Sequence, residues 1–327
     1  MIKYKKFQNR KIRIFQKRQL LKLNKNLNEI FTLCEFNDFF CQLMFSQKTD
    51  KKLIKEVTNL VTGFNGEIGI YVKNLKNGKT AAINADTIFP TASIVKIPIL
   101  IGVMDKINRH EIDYDSVFAY KDSLFYEGED ILGSFKDNEK ILLKKMIMLM
   151  LTTSDNTASL WLQSIAGKGT RINEILDSLG FKLTRVNSRT PGRENNRSIY
   201  GWGQTTPSEI ANLIEMIYHN QIFSPAINER MKRCLGRNYW DEDEAISQIP
   251  PTIEVFSKNG CVDASRSEVL LVNAPHNPYI FCIFTKNNKD TSWTHRNEAW
   301  TLARKISKFL WDYFEPKEKW TSALVPE

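Results

Sequence analysis

An α+β fold, an antiparallel sheet flanked by terminal helices with an all-helical lobe inserted, is predicted by three observations. Strand-like runs lie near both ends of the chain, in GEIGIYVKNL and in VFSKN, SEVLLVN and YIFCIFT. Between them, from about residue 92 to 206, apolar residues recur mostly at helical spacing. Amphipathic patterns over residues 50–62 and in WTHRNEAWTLARKISKFLWDYF bracket the whole. Strands drawn from both ends around a helical middle give two lobes. A cleft between lobes is where a substrate is expected.

The elements follow in order. Residues 50–62 (DKKLIKEVTNLVT) form a helix, and GEIGIYVKNL pairs with KNGKTAAI through a turn at Asn77 and Gly78. After Pro90 a strongly apolar helix runs over about 92–107, with further helices around 139–151, 156–166 and 171–179. A long loop over 182–206 carries Pro191, Gly192, Gly201 and Gly203, and Pro207 opens the next helix. The last third returns to β-branched and aromatic strands before the closing helix.

With 327 residues, 42% hydrophobic, the chain can bury a sizeable core. Its net charge of +9 would suggest a nucleic-acid partner if it were spread over the folded surface. It is not, because residues 1–25 hold ten Lys and Arg and no acid, leaving 36 basic against 37 acidic groups beyond them. Nucleic acid is therefore excluded as a partner. Residues 1–49 are expected to be a poorly ordered basic extension open to electrostatic contact with an anionic membrane, 50–315 the folded domain, and 316–327 a tail. The apolar stretch over 30–45 is broken by Glu35, Asn37 and Asp38, so no signal peptide is recognised, and no run of apolar residues is long enough to span a membrane. Five cysteines and four histidines show no metal-ligand spacing, so neither a metal nor another cofactor is expected. No histidine stands in a pattern with a serine and an acid, which leaves a Ser-His-Asp mechanism without support.

Chemistry begins at Thr91-Ala92-Ser93-Ile94-Val95-Lys96. Residues three apart share a helix face, so Lys96 can reach the Ser93 hydroxyl. Desolvation by the apolar neighbours, with a second cation nearby, favours a neutral lysine that can serve as a base. Alone, the pair is equally a capping serine beside a solvated lysine. A second element, Ser154-Asp155-Asn156, follows the apolar run MIMLML and can equally be a helix cap. The third, Lys258-Asn259-Gly260, lies on or beside a strand and can equally be a turn.

Together and in this order, the three resemble the SxxK, SDN and KTG elements of the penicillin-binding proteins and class A β-lactamases. The flanks Phe89-Pro90, Thr157-Ala158 and Thr205-Thr206-Pro207 match as well, and the resemblance covers about residues 50–315. It implies that Ser93 attacks a carbonyl carbon, Lys96 takes its proton, and the backbone N–H groups of Ser93 and Cys261 hold the oxyanion. It further implies that Ser154 passes a proton to the leaving nitrogen while Lys258 holds that serine. Asn156 would bind the amide of the substrate side chain, Gly260 would belong to the binding wall, and Arg266 would anchor a substrate carboxylate.

Two departures stand out. Asn259 replaces the hydroxyl residue that in the family contacts the substrate carboxylate, and its amide, which can still donate, keeps it a substrate-binding candidate. In the loop TRVNSRTPGRENNRSIYGWGQTTP, the position of the deacylating glutamate holds Thr190, which leaves Glu194 as the candidate base or a mere surface residue. Tyr200 and Trp202 in the same loop are read as packing residues. The resemblance implies a monomeric serine hydrolase that acylates on a β-lactam or a D-Ala-peptide-like small molecule and works outside the cytoplasmic membrane. Alternatives of the same fold are a D-alanyl peptidase, another ester or amide hydrolase, or a penicillin sensor that acylates without turnover.

Overall fold

The computed structural model describes residues 48–128 and 130–322. All but the last two residues of the expected basic extension lie outside these. Thr49 already forms a parallel bridge with Thr80.

Five strands build one antiparallel sheet: β1 (Glu67–Asn74), β2 (Thr80–Ile83), β8 (Val255–Val262), β9 (Ser265–Val272) and β10 (Tyr279–Lys286), in the order β2-β1-β10-β9-β8. The register pairs Ile70 with Ile283 and Lys258 with Val269. Each central strand is apolar on both faces. Ile280, Cys282 and Phe284 turn towards the helical lobe, whereas Tyr279, Phe281 and Ile283 turn towards the terminal helices. That double burial explains why these segments read as unbroken apolar runs rather than as alternating ones.

The terminal helices α1 (Lys51–Val61) and α9 (Glu298–Phe314) cover one face. Asp50 caps α1 by accepting from Leu53 N at 3.1 Å, and Leu53 and Val57 are its buried contacts. Asn297 caps α9, which buries Ile306, Leu310 and Trp311 on the sheet. The expected C-terminal tail is partly packed: Trp311 Nε1 donates to Glu318 O at 2.9 Å, and Trp320 packs on the same core.

On the other face, β3 (Phe89–Pro90) leads through a 3₁₀ turn (Ala92–Val95) into α2 (Lys96–Asn108). Ile97, Ile99, Leu100, Ile101 and Val103 of α2 are all fully buried, so the helix is the axis of its lobe and has no solvent face. Around it lie α4 (Asn156–Ile165), α5 (Lys168–Ser178), α7 (Pro207–Tyr218) and α8 (Pro225–Leu235). The expected helix over 139–151 divides in three. Strand β5 (Lys140–Leu142) pairs with β4 (Val117–Ala119), then come α3 (Leu143–Met148) and a π-helical turn (Leu149–Thr153). The expected long loop contains β6 (Arg185–Val186), α6 (Glu194–Tyr200) and β7 (Gly203–Thr205), and β7 pairs with both β6 and β3.

Candidate active site

The nucleophile candidate stands where the chain turns sharply. Ala92 has φ 43, a left-handed value that costs a non-glycine residue about 1–3 kcal/mol. Thr91 N donates to Gly203 O at 3.0 Å, which fixes the turn to β7. From α2, the fully buried Lys96 donates to Ser93 Oγ at 3.0 Å. The same ammonium donates to Ser154 Oγ at 2.9 Å, Ser154 O at 2.5 Å and Asn156 Oδ1 at 2.9 Å. The first two sequence elements thus meet at one nitrogen.

Ser154 is brought there by backbone geometry. The π-helical turn ends on it with φ 63, and Asp155 then caps α4. One Asp155 oxygen accepts from Ala158 N at 2.7 Å, and the other accepts from Ile131 N at 2.7 Å and Leu132 N at 2.8 Å. This buried carboxylate clamps the preceding loop to the start of α4. Gly128, with φ 120, lets that loop close over Asn156: a Cβ there would lie 2.7 Å from Asn156 Nδ2. Asp155→Ala would leave the buried N–H groups of Leu132 and Ala158 and the part-buried one of Ile131 unpaired, and should cost about 3 kcal/mol. A melting temperature within a degree or two of wild type would show that the clamp carries no weight.

The third element forms the opposite wall. Gly260 lies so near the nucleophile's turn that a Cβ would meet Thr91 O at 2.3 Å and Ser93 N at 3.0 Å. The peptide that follows, with the N–H of Cys261, is therefore placed beside the turn. Lys258 is fully buried, and burial pushes its ammonium down to about 8. Its hydrogen bonds run to Asn259 O at 3.1 Å and Asn259 Oδ1 at 2.8 Å, not to Ser154 as the resemblance implied. Asn259 Nδ2 in turn donates to Glu244 Oε1 at 2.8 Å. Burial, ahead of all other causes, raises the Glu244 carboxyl to about 7.

Between the walls opens a cavity of about 560 Å³ lined by residues that include Ser93, Asn156, Tyr126, Trp202, Cys261 and Lys286. Tyr126 meets Trp202 edge to face at 5.1 Å. Both Tyr200 and Trp202 line the cavity, which corrects their reading as packing residues alone.

Two expected site residues, Arg266 and Glu194, are placed elsewhere. Arg266 is 2% exposed, and its guanidinium donates to the carbonyls of Val262, Asp263, Ser265 and Ser292 while stacking on Trp293 at 4.2 Å and Trp300 at 4.8 Å. It braces the β8–β9 turn and does not line the cavity, so it is not placed to anchor a carboxylate. Glu194 is exposed at the start of α6, accepts from Gly192 N at 3.1 Å and is not a lining residue either. Thr190 is buried, with its hydroxyl on Ser188 O at 2.9 Å. Sequence reasoning missed Glu244 and Tyr126, neither of which stands in a motif, and passed over Arg193. Arg193 ties the loop to β7 through Asn187 Oδ1 at 3.0 Å and Gln204 Oε1 at 2.7 Å.

A family model described as beta-lactamase enzyme family matches residues 52–314. The chain belongs to the beta-lactamase enzyme family. Relatives in it are distant: Beta-lactamase VEB-1 of Pseudomonas aeruginosa is 21% identical over 84% of this chain and 94% of its own length. An imipenem-hydrolyzing beta-lactamase of Enterobacter cloacae is 25% identical over 83% and 94%. Among solved structures, a point mutant of PBP-A, in an acyl-enzyme complex with penicillin G, superimposes with a TM-score of 0.73 at 21% identity, covering 83% of this chain and 98% of that one. A class A beta-lactamase from Bacteroides cellulosilyticus gives 0.72 at 21% identity, over 83% and 100%. These likenesses establish the fold of the family.

Proposed function

We propose that the protein is a serine acyl-transfer enzyme that opens β-lactam amides. The observation that carries this reading is the Lys96 ammonium nitrogen, which contacts Ser93 Oγ at 3.0 Å and Ser154 Oγ at 2.9 Å together. Lys96 in its neutral form takes the Ser93 proton as Oγ attacks the carbonyl carbon, and the tetrahedral oxyanion forms beside the N–H groups of Ser93 and Cys261. When the C–N bond breaks, the proton passes from Lys96 through the Ser154 hydroxyl to the leaving nitrogen. The acyl group is left as an ester on Ser93. Intact-mass spectrometry with a penicillin should show one adduct carrying the whole drug mass; an unmodified protein beside unconsumed penicillin after prolonged incubation would refute the reading.

A second reading concerns release. Among the described residues that line the cavity there is no carboxylate to take a proton from a hydrolytic water. This favours an acyl-enzyme that persists, as in a penicillin sensor or a peptidase-like enzyme, over rapid turnover. The expected time course is a burst equal to the enzyme concentration followed by slow release, with Glu194→Gln leaving both phases unchanged. Rapid steady turnover in wild type would rule out the trapping reading, and accumulation of acyl-enzyme only in Glu194→Gln would restore Glu194 as the base.

A further inference from the structure

We propose that Ile199 and Trp202 build an apolar subsite on the acyl side of the nucleophile, so that the site favours acyl donors whose side chain is an extended apolar group. The inference rests on the acyl-enzyme reading above and names the class of acyl group that the site takes. The cavity opens on one side of the nucleophile only. Its lining includes Ser93 and Cys261 but neither Ser154 nor Lys258, so the volume of about 560 Å³ lies away from the leaving nitrogen. In a β-lactam the side chain is borne by the ring carbon next to the attacked carbonyl, on the opposite side of that carbonyl from the nitrogen. With the nitrogen at Ser154, the side chain enters this cavity, whose size is in the range that encloses a drug-sized ligand.

Three apolar side chains from separate segments stand exposed around it. Ile199 of α6 is 69% exposed, Val262 at the end of β8 is 48% exposed, and Tyr126 is 39% exposed. The position of Ile199 is fixed by how α6 is fastened. Arg193 and Asn196 tie this helix to Gln204 of β7, with Asn196 Nδ2 donating to Gln204 Oε1 at 3.0 Å, and Gln204 pairs with Pro90 just before the Ser93 turn. Ile199 and Tyr200, three and four residues on from Asn196, share its helix face and line the cavity. The chain leaves α6 at Gly201, and Trp202 then packs on the core of the helical lobe and meets Tyr126 edge to face at 5.1 Å.

The amide and charged side chains of the wall have partners already. Asn156 Oδ1 accepts from Lys96, and Asn287 Nδ2 donates to Glu67. Among the described residues lining the cavity, Lys286 is the only charged one, and its ammonium donates to Ile88 O at 3.0 Å and pairs with Glu67 at 3.3 Å. A polar side chain entering here exchanges its water for groups that are already bonded. An apolar one covers Ile199, Trp202, Tyr126 and Val262 together, and each methylene so buried is worth roughly a fourfold gain in binding.

The test uses the acetyl, hexanoyl and octanoyl amides of aminopenicillanic acid, which share the reacting ring and its carboxylate and differ only in methylenes. With the full chain in excess over each amide, the loss of β-lactam absorbance and the intact mass together give the second-order rate of acylation, whether the acyl-enzyme persists or turns over. Wild type should react with the octanoyl amide roughly tenfold faster or more than with the acetyl amide, and this ratio should fall roughly threefold or more in Ile199→Ser and in Trp202→Ala. Ile199→Leu and Trp202→Phe should restore it. Ile199 lies at the surface, so its substitution spares the fold, and a ratio between donors cancels any loss of competent enzyme. Val117→Ser, at a comparably exposed apolar residue that does not line the cavity, should leave the ratio as in wild type. Equal rates for the three amides in wild type, a ratio that either Ile199→Ser or Trp202→Ala leaves unchanged, or one that Val117→Ser lowers as much, overturns the subsite and leaves the acyl-enzyme reading standing. An unmodified protein beside unconsumed amides overturns the acyl-enzyme reading, and this inference falls with it.

Discussion

Ser93→Ala should lose all covalent labelling by a fluorescent penicillin while its melting temperature stays within about 2 °C of wild type. The loss is complete because no second nucleophile is poised among the described residues that line the cavity. Cys261 is a lining residue, but burial holds its thiol well above the ordinary range, so at neutral pH it is protonated and unreactive. The fold is unaffected because Ser93 is one of several acceptors for Lys96, and Ser154 O, Ser154 Oγ and Asn156 Oδ1 remain. Removal of a half-buried hydroxyl whose donor keeps other partners changes stability by only about 0.5 kcal/mol. Labelling that survived the substitution would move the nucleophile elsewhere.

The second large effect is expected at Lys96. Lys96→Arg preserves the positive charge but removes the possibility of a neutral base, because a guanidinium keeps its proton in proteins. It also forces a longer, planar group into a position with no solvent exposure, at a cost of about 1–3 kcal/mol. Acylation should slow by two or more orders of magnitude, the size of a general-base contribution. A stopped-flow or quenched time course decides it. If the arginine variant acylated within about threefold of wild type, Lys96 would be a structural hub for Ser154 and Asn156, and another proton acceptor would have to be sought.

What the sequence could reveal depended on the distance over which each interaction acts. Ser93 and Lys96 are three residues apart, so helical spacing alone placed the hydroxyl within reach of the ammonium. The strands β9 and β10 were legible because burial on both faces writes an apolar run, VLLV in one and YIFCIF in the other. Strand β5 was not legible. It pairs with β4 more than twenty residues earlier, and the apolar pattern that continues into α3 reads equally well as helix. Arg266 was assigned by its distance from the third motif, but the rings of Trp293 and Trp300 that capture it come from a different segment of the chain. Glu244 left no local signal at all. It touches the motif only through Asn259, fifteen residues away in sequence, and one acid among the four of the run DEDEA looks like solvated surface.

The pairing of β1 with β10 has a consequence for how the protein is made. Asn74 ends β1 and faces Tyr279 at the start of β10. At about 5–20 residues per second, the ribosome needs roughly 10–40 s to extend the chain from one to the other. Throughout that interval β1 has only the short β2 beside it, and its other edge presents a row of unsatisfied N–H and C=O groups next to apolar side chains. The helical lobe can form from local contacts during this time, but the sheet that fixes Lys258 and Gly260 against it cannot close. The emerging chain is thus exposed to mispairing and aggregation until nearly all of it has been synthesised. Conditions during translation, as well as the finished fold's stability, will set the yield of active protein.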